Sequence, residues 1–502
     1  MGRSLSKKTV KSANWSLGKT LGQNIIAFLS TIVLARLIAP EEFGLLAIAM
    51  IFVGLGKIVS NVGINNAIIQ KKRLTTKNLR AALTLSLLAG GAIYAGIWII
   101  ATYAAAFFND IRAVEVIRWI GVIFLFNGFT TVGQGLLMRH FRYKPIFLIE
   151  LISFSVGYGA LGIILAYHGF GVWSLVYGVL AQYCLMALSY LLFVRISFKP
   201  VLKGGEYKRL LRFGSGVSLL GLFNYSAMNI DNIVIGRFLD ASQLGFYSKA
   251  FGLMQLPIRN LSFAVGGVSM STFSALQDEP EELKKAYLKA VDLIFLIACP
   301  ATVIMILSSE YLILGLYGPQ WEGAISAFRI LSFGIIFKVF FGLSGSLAKS
   351  TDNVLKETWR QLFFAVSLGV LALLFIDYGI EGVAASVTIA SFLFFLLMTQ
   401  LSLNICNATS AEFIHRLKGG AALGVVAGII NTFAILLIET LSKINIIAVE
   451  LAILLIILFI FGLISFFKLP DNLLGSNRKW LIETYLRMMP GKVQAIIKRY
   501  LL

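Results

Sequence analysis

The sequence predicts an all-α polytopic membrane protein with about 14 transmembrane helices. Two parallel six-helix lobes, related by a pseudo-two-fold axis along the membrane normal, are followed by two C-terminal helices. Three observations lead there. The 502 residues are 58% hydrophobic and 14% charged, with a mean hydropathy of +0.85, which is far from a soluble globular chain. Apolar stretches of about 20 residues, enough to cross a ~30 Å hydrocarbon core as helix, recur from end to end. The third is a phrase written twice: "IVLARLIAPEEFG" begins at Ile32 and "IVIGRFLDASQLG" at Ile233, each placing an arginine after an apolar run.

In chain order the spans are expected near 13–37, 43–69, 79–107, 113–138, 145–167, 170–194, 208–236, 242–274, 286–307, 322–348, 355–376, 380–404, 419–440 and 446–467. The basic N-terminus, "MGRSLSKKTVKSANWSLGKT", runs into the first apolar stretch without a small-residue cleavage site and reads as an uncleaved first helix. An even span count puts both termini on one side. Alternate connections, among them "KKRLTTKNLR", "RHFRYK", "RISFKPVLKGGEYKRLLR" and "KSTDNVLKETWR", hold with the two termini 33 of the 44 Lys and Arg residues. By the positive-inside rule these connections and both termini are cytoplasmic. The intervening connections hold only Arg36, Arg112, Arg118, Arg237 and Lys443.

The repeated phrases end helices one and seven, six spans apart, so the two halves point the same way. "LLMRHFRY" (136–143) and "SLAKSTDN" (346–353) echo each other 210 residues apart. The expected organisation is an N-terminal lobe 1–200, a C-terminal lobe 201–410, accessory helices 411–470, and a tail 471–502. In that tail Trp480, Leu481, Tyr485, Ile496 and Ile497 alternate with Arg and Lys around Pro490 and Gly491, the pattern of amphipathic helices lying on an anionic leaflet.

The excess charge of +20 is spread through loops, not gathered into an aromatic-studded patch, so no nucleic-acid partner is expected. Cys184, Cys299 and Cys406 lie far apart without CxxC spacing, and His140, His168 and His415 have no ligand neighbours; no metal site is expected. No GxxxxGK[ST] loop is present in the sequence, so neither a nucleotide cofactor nor an enzymatic activity is expected.

A basic N-terminal segment leading to "IVLARLIAPEEFGLLAIAMIF", then "GLGKIVSNVGINNAIIQ", then "NIDNIVIGRFLDASQLGFYSKA" resembles the prokaryotic polysaccharide transporter family of the multidrug/oligosaccharidyl-lipid/polysaccharide exporter superfamily. The chain looks most like the exopolysaccharide exporters of colanic-acid type. The resemblance implies a flippase that moves oligosaccharide on undecaprenyl diphosphate from the cytoplasmic to the periplasmic leaflet by alternating access. It implies lipid-linked oligosaccharide and membrane lipids as partners, with a polysaccharide polymerase and glycosyltransferases nearby.

A charge inside a spanning helix costs roughly 2.5–3.5 kcal/mol and should face a cavity or a partner. Away from helix ends stand Lys19, Lys57, Lys249, Arg259, Arg329 and Lys338 against Glu150, Asp231 and Asp292. The cationic surplus predicts a central cavity that receives an anion such as a diphosphate. Lys57, Asn61 and Asn65 at i, i+4 and i+8 form one polar stripe, while Glu150 and Asp292, nearer the cytoplasmic ends, read as structural partners. Asp231 is the candidate for ion coupling. Arg36 and Arg237 read as helix-end residues meeting exposed carbonyls, or as parts of an outer gate. Two other functions fit parts of the pattern: an antiporter for cationic drugs, which needs an acidic cavity, and a non-transporting scaffold for polysaccharide synthesis. A reporter active only in the cytoplasm should work when fused after Arg73 or Lys203 and fail after Glu42 or Asp240; the same side for Glu42 and Arg73 would refute the span register.

Overall fold

The computed structural model describes residues 22–60, 74–194 and 228–441, with single positions at 65, 68, 69, 71, 225, 447, 449–451, 453, 454 and 456. The expected amphipathic tail, most of the seventh and fourteenth spans and the 200/201 lobe boundary lie outside them. The described chain is helical: α1 Gly22–Leu37, α2 Pro40–Ser60, α3 Thr76–Phe108, α4 Ala113–Arg139, α5 Tyr143–Tyr167 and α6 Val172–Val194. These are followed by α7 Ile230–Phe238, α8 Ala241–Ala275, α9 Pro280–Leu307, α10 Ile325–Ser350, α11 Val354–Leu374, α12 Gly379–Cys406 and α13 Ser410–Leu441. Among the described residues ten helices are long and apolar enough to cross a membrane. Helices α1, α7 and α8 fall on three further expected spans.

Local chemistry sets the ends. Pro40 opens α2, with Glu41 and Glu42 in its first turn, where fixed φ and negative charge both suit a helix start. Thr75 caps α3 by accepting the Asn78 amide at 3.3 Å, and Asn109, left-handed at φ 54°, closes it. Glu42 reaches across the chain to accept the Val172 amide at 2.7 Å, so an acid from α2 caps α6. At α13, Thr409 Oγ1 accepts the Glu412 amide at 3.2 Å while Glu412 accepts the Thr409 amide at 2.7 Å, a reciprocal capping box. Lys284 joins Glu412 at 2.7 Å. In the α3–α4 turn burial raises Asp110, but bonds from Arg112 outweigh it and hold the carboxyl below its usual range; Arg112 also pairs with Glu41 at 2.6 Å.

Two compact units result: Met1–Ser248 with Ala372–Ile380, and Lys249–Leu371 with Glu381–Leu502, the division falling within α8. In the first, Leu137, Ile146, Ile149 and Tyr190 join α4, α5 and α6. In the second, Ala348, Phe394, Met398 and Leu401 form a core, with Phe341 and Phe394 edge to face at 4.5 Å. Gly420, Gly424 and Gly428, spaced four apart, let α13 settle against Phe295, Cys299 and Val303 of α9.

The repeated phrase has a physical counterpart. A Cβ on Gly44 would overlap the Ala241 carbonyl, and a Cβ on Gly245 would overlap the Pro40 carbonyl. The first turns of α2 and α8 thus cross backbone to backbone, and each copy of the phrase supplies the glycine that receives the other copy's carbonyl. Left-handed residues also recur, at a longer spacing: Asn109 and Gly318, Phe141 and Asp352, Gly169 and Gly379 pair off at about 210 residues. Gly245→Ala should lower the thermal midpoint: alanine's helix preference gains about 1 kcal/mol at most, while overpacking costs about 1–3 kcal/mol. Unchanged melting would show that the crossing can relax.

Candidate functional site

Inside the first unit, α1, α2, α4, α5 and α6 enclose a polar cavity of about 480 Å3. Gln23 comes from α1, Lys57 from α2, Asn65 from eight residues further along the chain, and Glu150 from α5. Helix α4 contributes Asn127, Thr130, Thr131 and Gln134, and α6 contributes Gln182, Tyr183, Met186 and Tyr190. Residues 127, 130, 131 and 134 stand at i, i+3, i+4 and i+7, so they share one face of α4. Beyond Glu150, α5 loosens into π-helix over Phe154–Leu161, a local widening of the turn. There Gly157 lets α6 approach so closely that a Cβ would overlap the Gln182 amide.

Glu150 anchors the cavity. Its Oε1 accepts from Gln134 Nε2 at 3.0 Å and from the Tyr190 hydroxyl at 3.2 Å, and its Oε2 accepts from Gln23 Nε2 at 3.3 Å. Such donors are what a carboxylate in an apolar span requires. Asn127 donates to Ser60 Oγ at 2.5 Å and Thr130 to the Asn127 carbonyl at 3.0 Å, tying α4 to α2 and to itself. Lys57 is held differently. Its Nζ lies 5.4 Å from the Tyr183 ring centre, a cation–π contact, and no carboxylate among the described residues pairs with it.

The structure brings Lys57 and Asn65 of the expected polar stripe to one cavity. Lys19 and Asn61 lie outside the described residues. Lys249, Arg259, Arg329 and Lys338 belong to the second unit. There Arg329 Nε donates to Ser309 Oγ at 2.9 Å, Lys338 Nζ stands 4.7 Å from the Phe251 ring centre, Lys249 is half-buried and Arg259 is exposed. Sequence reasoning set Glu150 aside as a structural partner and missed the α4 face, although its helical spacing was visible.

Asp231 is buried, and both its oxygens are engaged: Oδ2 by the Tyr247 hydroxyl at 2.6 Å, Oδ1 by the Asn232 amide at 2.9 Å. That bond gives the tyrosine of "GFYSKA" a task, fixing α7 against the start of α8. Arg237 Nη1 donates to the Phe107 carbonyl at 2.8 Å and to Asn109 Oδ1 at 3.0 Å. It therefore meets exposed carbonyls at the end of α3, not of its own helix. Arg36 lies exposed in the last turn of α1. No group of three metal-ligating side chains occurs among the described residues.

Residues 33–326 match the family model described as polysaccharide biosynthesis protein. The lipopolysaccharide biosynthesis protein WzxC of Escherichia coli K12 is 24% identical over 65% of this chain and 67% of its own. The succinoglycan biosynthesis transport protein ExoT of Rhizobium meliloti is 25% identical over 65% and 66%. Among solved structures, the lipid II flippase MurJ in an inward closed conformation superposes with a TM-score of 0.70 at 13% identity, covering 90% of this chain and 99% of that one; the likeness is one of fold.

Tyr247→Phe should destabilise the first unit by about 1–3 kcal/mol, because a buried carboxylate loses a donor, and should do so without touching the cavity around Lys57. A melting temperature equal to wild type would assign that tyrosine no structural share.

Proposed function

The chain belongs to the polysaccharide biosynthesis protein family, and from that premise we propose that it is a flippase for lipid-linked oligosaccharide. It moves repeat units carried on undecaprenyl diphosphate from the cytoplasmic to the outer leaflet of the inner membrane, with both its termini cytoplasmic. The family match, the relative named as a transport protein and the flippase fold support this assignment. A polymerase and glycosyltransferases acting on the same glycan are its expected neighbours.

One observation carries the cationic part of the mechanism: Lys57 lines a cavity inside the membrane with no acidic partner among the described residues. A lysine left unmatched in an apolar span is costly, and a ligand that brings negative charge relieves the cost when it enters. A diphosphate is such a ligand. Bound at Lys57, it is released when the cavity opens to water on the other side, where solvent screens the attraction. In this proposal Lys249, Arg259, Arg329 and Lys338 are the second unit's own cations for an anionic ligand. Glu150, which also lines the cavity, bonds Gln23, Gln134 and Tyr190 and so ties α5 to α1, α4 and α6.

Charge should therefore matter more than volume. Lys57→Gln should leave membrane abundance near normal and cut surface polysaccharide at least about tenfold, the effect of losing ~1.4 kcal/mol of binding, whereas Lys57→Arg should retain much of the activity. Normal export from well-expressed Lys57→Gln would refute the role of this lysine.

A further inference from the structure

The second unit has a cavity of its own, about 550 Å3 in volume, where the α8–α9, α10–α11 and α12–α13 connections meet. Lys356 and Arg360 of α11 line it together with the amides of Gln277, Asn404 and Asn407. Its lining includes no carboxylate; Asp278 and Asp352, each next in sequence to a lining residue, are not part of it. Both cations are accessible, Lys356 being exposed and Arg360 half-buried. Their placement runs against helix electrostatics twice. Lys356 stands in the first turn of α11, where the helix dipole disfavours positive charge, and cations four residues apart repel each other. Glu357, the only acid in α11, accepts from Gln361 at 3.0 Å and lies 3.7 Å from Lys349, so it neutralises neither. Arg360 is held by main chain instead: Nε donates to the Leu397 carbonyl at 3.1 Å and Nη1 to the Lys356 carbonyl at 2.9 Å, while Nη2 makes no bond among the described residues. Two carbonyls thus fix the guanidinium without cancelling its charge, and the donors that remain suit the oxygens of a phosphate.

We infer that this cavity binds the headgroup of an anionic phospholipid, with Lys356 and Arg360 on the phosphate and the amides of Asn404 and Asn407 on the remaining headgroup oxygens. The inference does not depend on the flippase reading. Position favours a lipid over a soluble anion. The cavity lies at the ends of spanning helices, since α9 begins at Pro280, α11 begins at Val354 and α12 ends at Cys406, which is the depth of the headgroups. The positive-inside rule puts that end at the cytoplasmic leaflet, whose surface such lipids make negative. Leu283, Leu401 and Ile405 add an apolar wall. From the cavity α11 continues with Trp359, Phe363, Val366 and Val370 exposed, and the spacing i, i+4, i+7 and i+11 aligns them as one stripe along which acyl chains can lie, with the tryptophan near headgroup level. A soluble phosphate would use the cations and gain nothing from the stripe. By bridging three connections, the bound lipid steadies that end of the second unit.

The test titrates the purified full chain, in uncharged detergent micelles, with phosphatidylglycerol and with phosphatidylcholine, and measures bound lipid by native mass spectrometry. A cation near a lipid surface contributes about fivefold in affinity, so the two together should make phosphatidylglycerol bind about twenty-fivefold more tightly than phosphatidylcholine. Lys356→Gln should cost about fivefold in phosphatidylglycerol affinity and leave phosphatidylcholine unchanged; adding Arg360→Gln should bring the two lipids level. The Lys356 side chain bonds nothing among the described residues, so the single variant carries the test even if loss of the Arg360 bonds unfolds the double one. Lys285→Gln, which removes an exposed cation paired with Glu282 outside the cavity, should leave the affinity unchanged. Equal binding of the two lipids, or full phosphatidylglycerol affinity in Lys356→Gln, would overturn the site. An equal loss in Lys285→Gln would show diffuse attraction to a basic surface and overturn it as well. Glycerophosphoglycerol, the headgroup without its tails, and inorganic phosphate should displace the lipid only weakly; displacement as effective as by the lipid itself would make the ligand a soluble phosphate and overturn the lipid assignment.

Discussion

The crossing of α2 and α8 through Gly44 and Gly245 is the constraint on which the first unit depends. Two helices that touch through carbonyl and glycine Cα leave no room for a side chain at either point, so their register is fixed to within a fraction of a residue. From that crossing α2 runs on to Lys57, whose depth is set by where the helix is held. A membrane favours such contacts, because lipid is as apolar as leucine and close backbone packing replaces the hydrophobic drive between helices. Arg237 and Glu42 reinforce the same end by binding the terminal groups of α3 and α6. In each case one helix satisfies the open end of another.

Hydrogen-bond accounting separates the two kinds of polar residue in this chain. Asp231, Arg237, Arg329 and Glu150 have their partners, and together these bonds hold helices in place. Lys57 has only the Tyr183 ring, and no hydrogen-bonding or acidic partner, among the described residues, and it lines a cavity. In an apolar medium an unmatched charge is unfavourable, so Lys57 at the wall of a cavity points to a ligand. The division suits a transporter: the walls must be rigid while the occupied site stays weak enough to release what it binds.

The apolar runs, the alternation of basic connections and the doubled phrase determined by themselves that this is a helical membrane protein, because helix length and hydropathy are set by the bilayer and need no tertiary information. Lys57 and Asn65 were legible as one polar face, since helical spacing alone aligns them. The α4 face at 127, 130, 131 and 134 was equally legible by spacing, but uncharged amides and hydroxyls stand out less than a charge in an apolar run. Only the tertiary structure decided that Glu150 faces Gln23, Gln134 and Tyr190, that Arg237 closes α3 instead of its own helix, and that Tyr247 bonds Asp231. Those partners come from different helices, and which helix faces which depends on close approaches such as Gly44 on Ala241 and Gly157 on Gln182, which a sequence period does not encode.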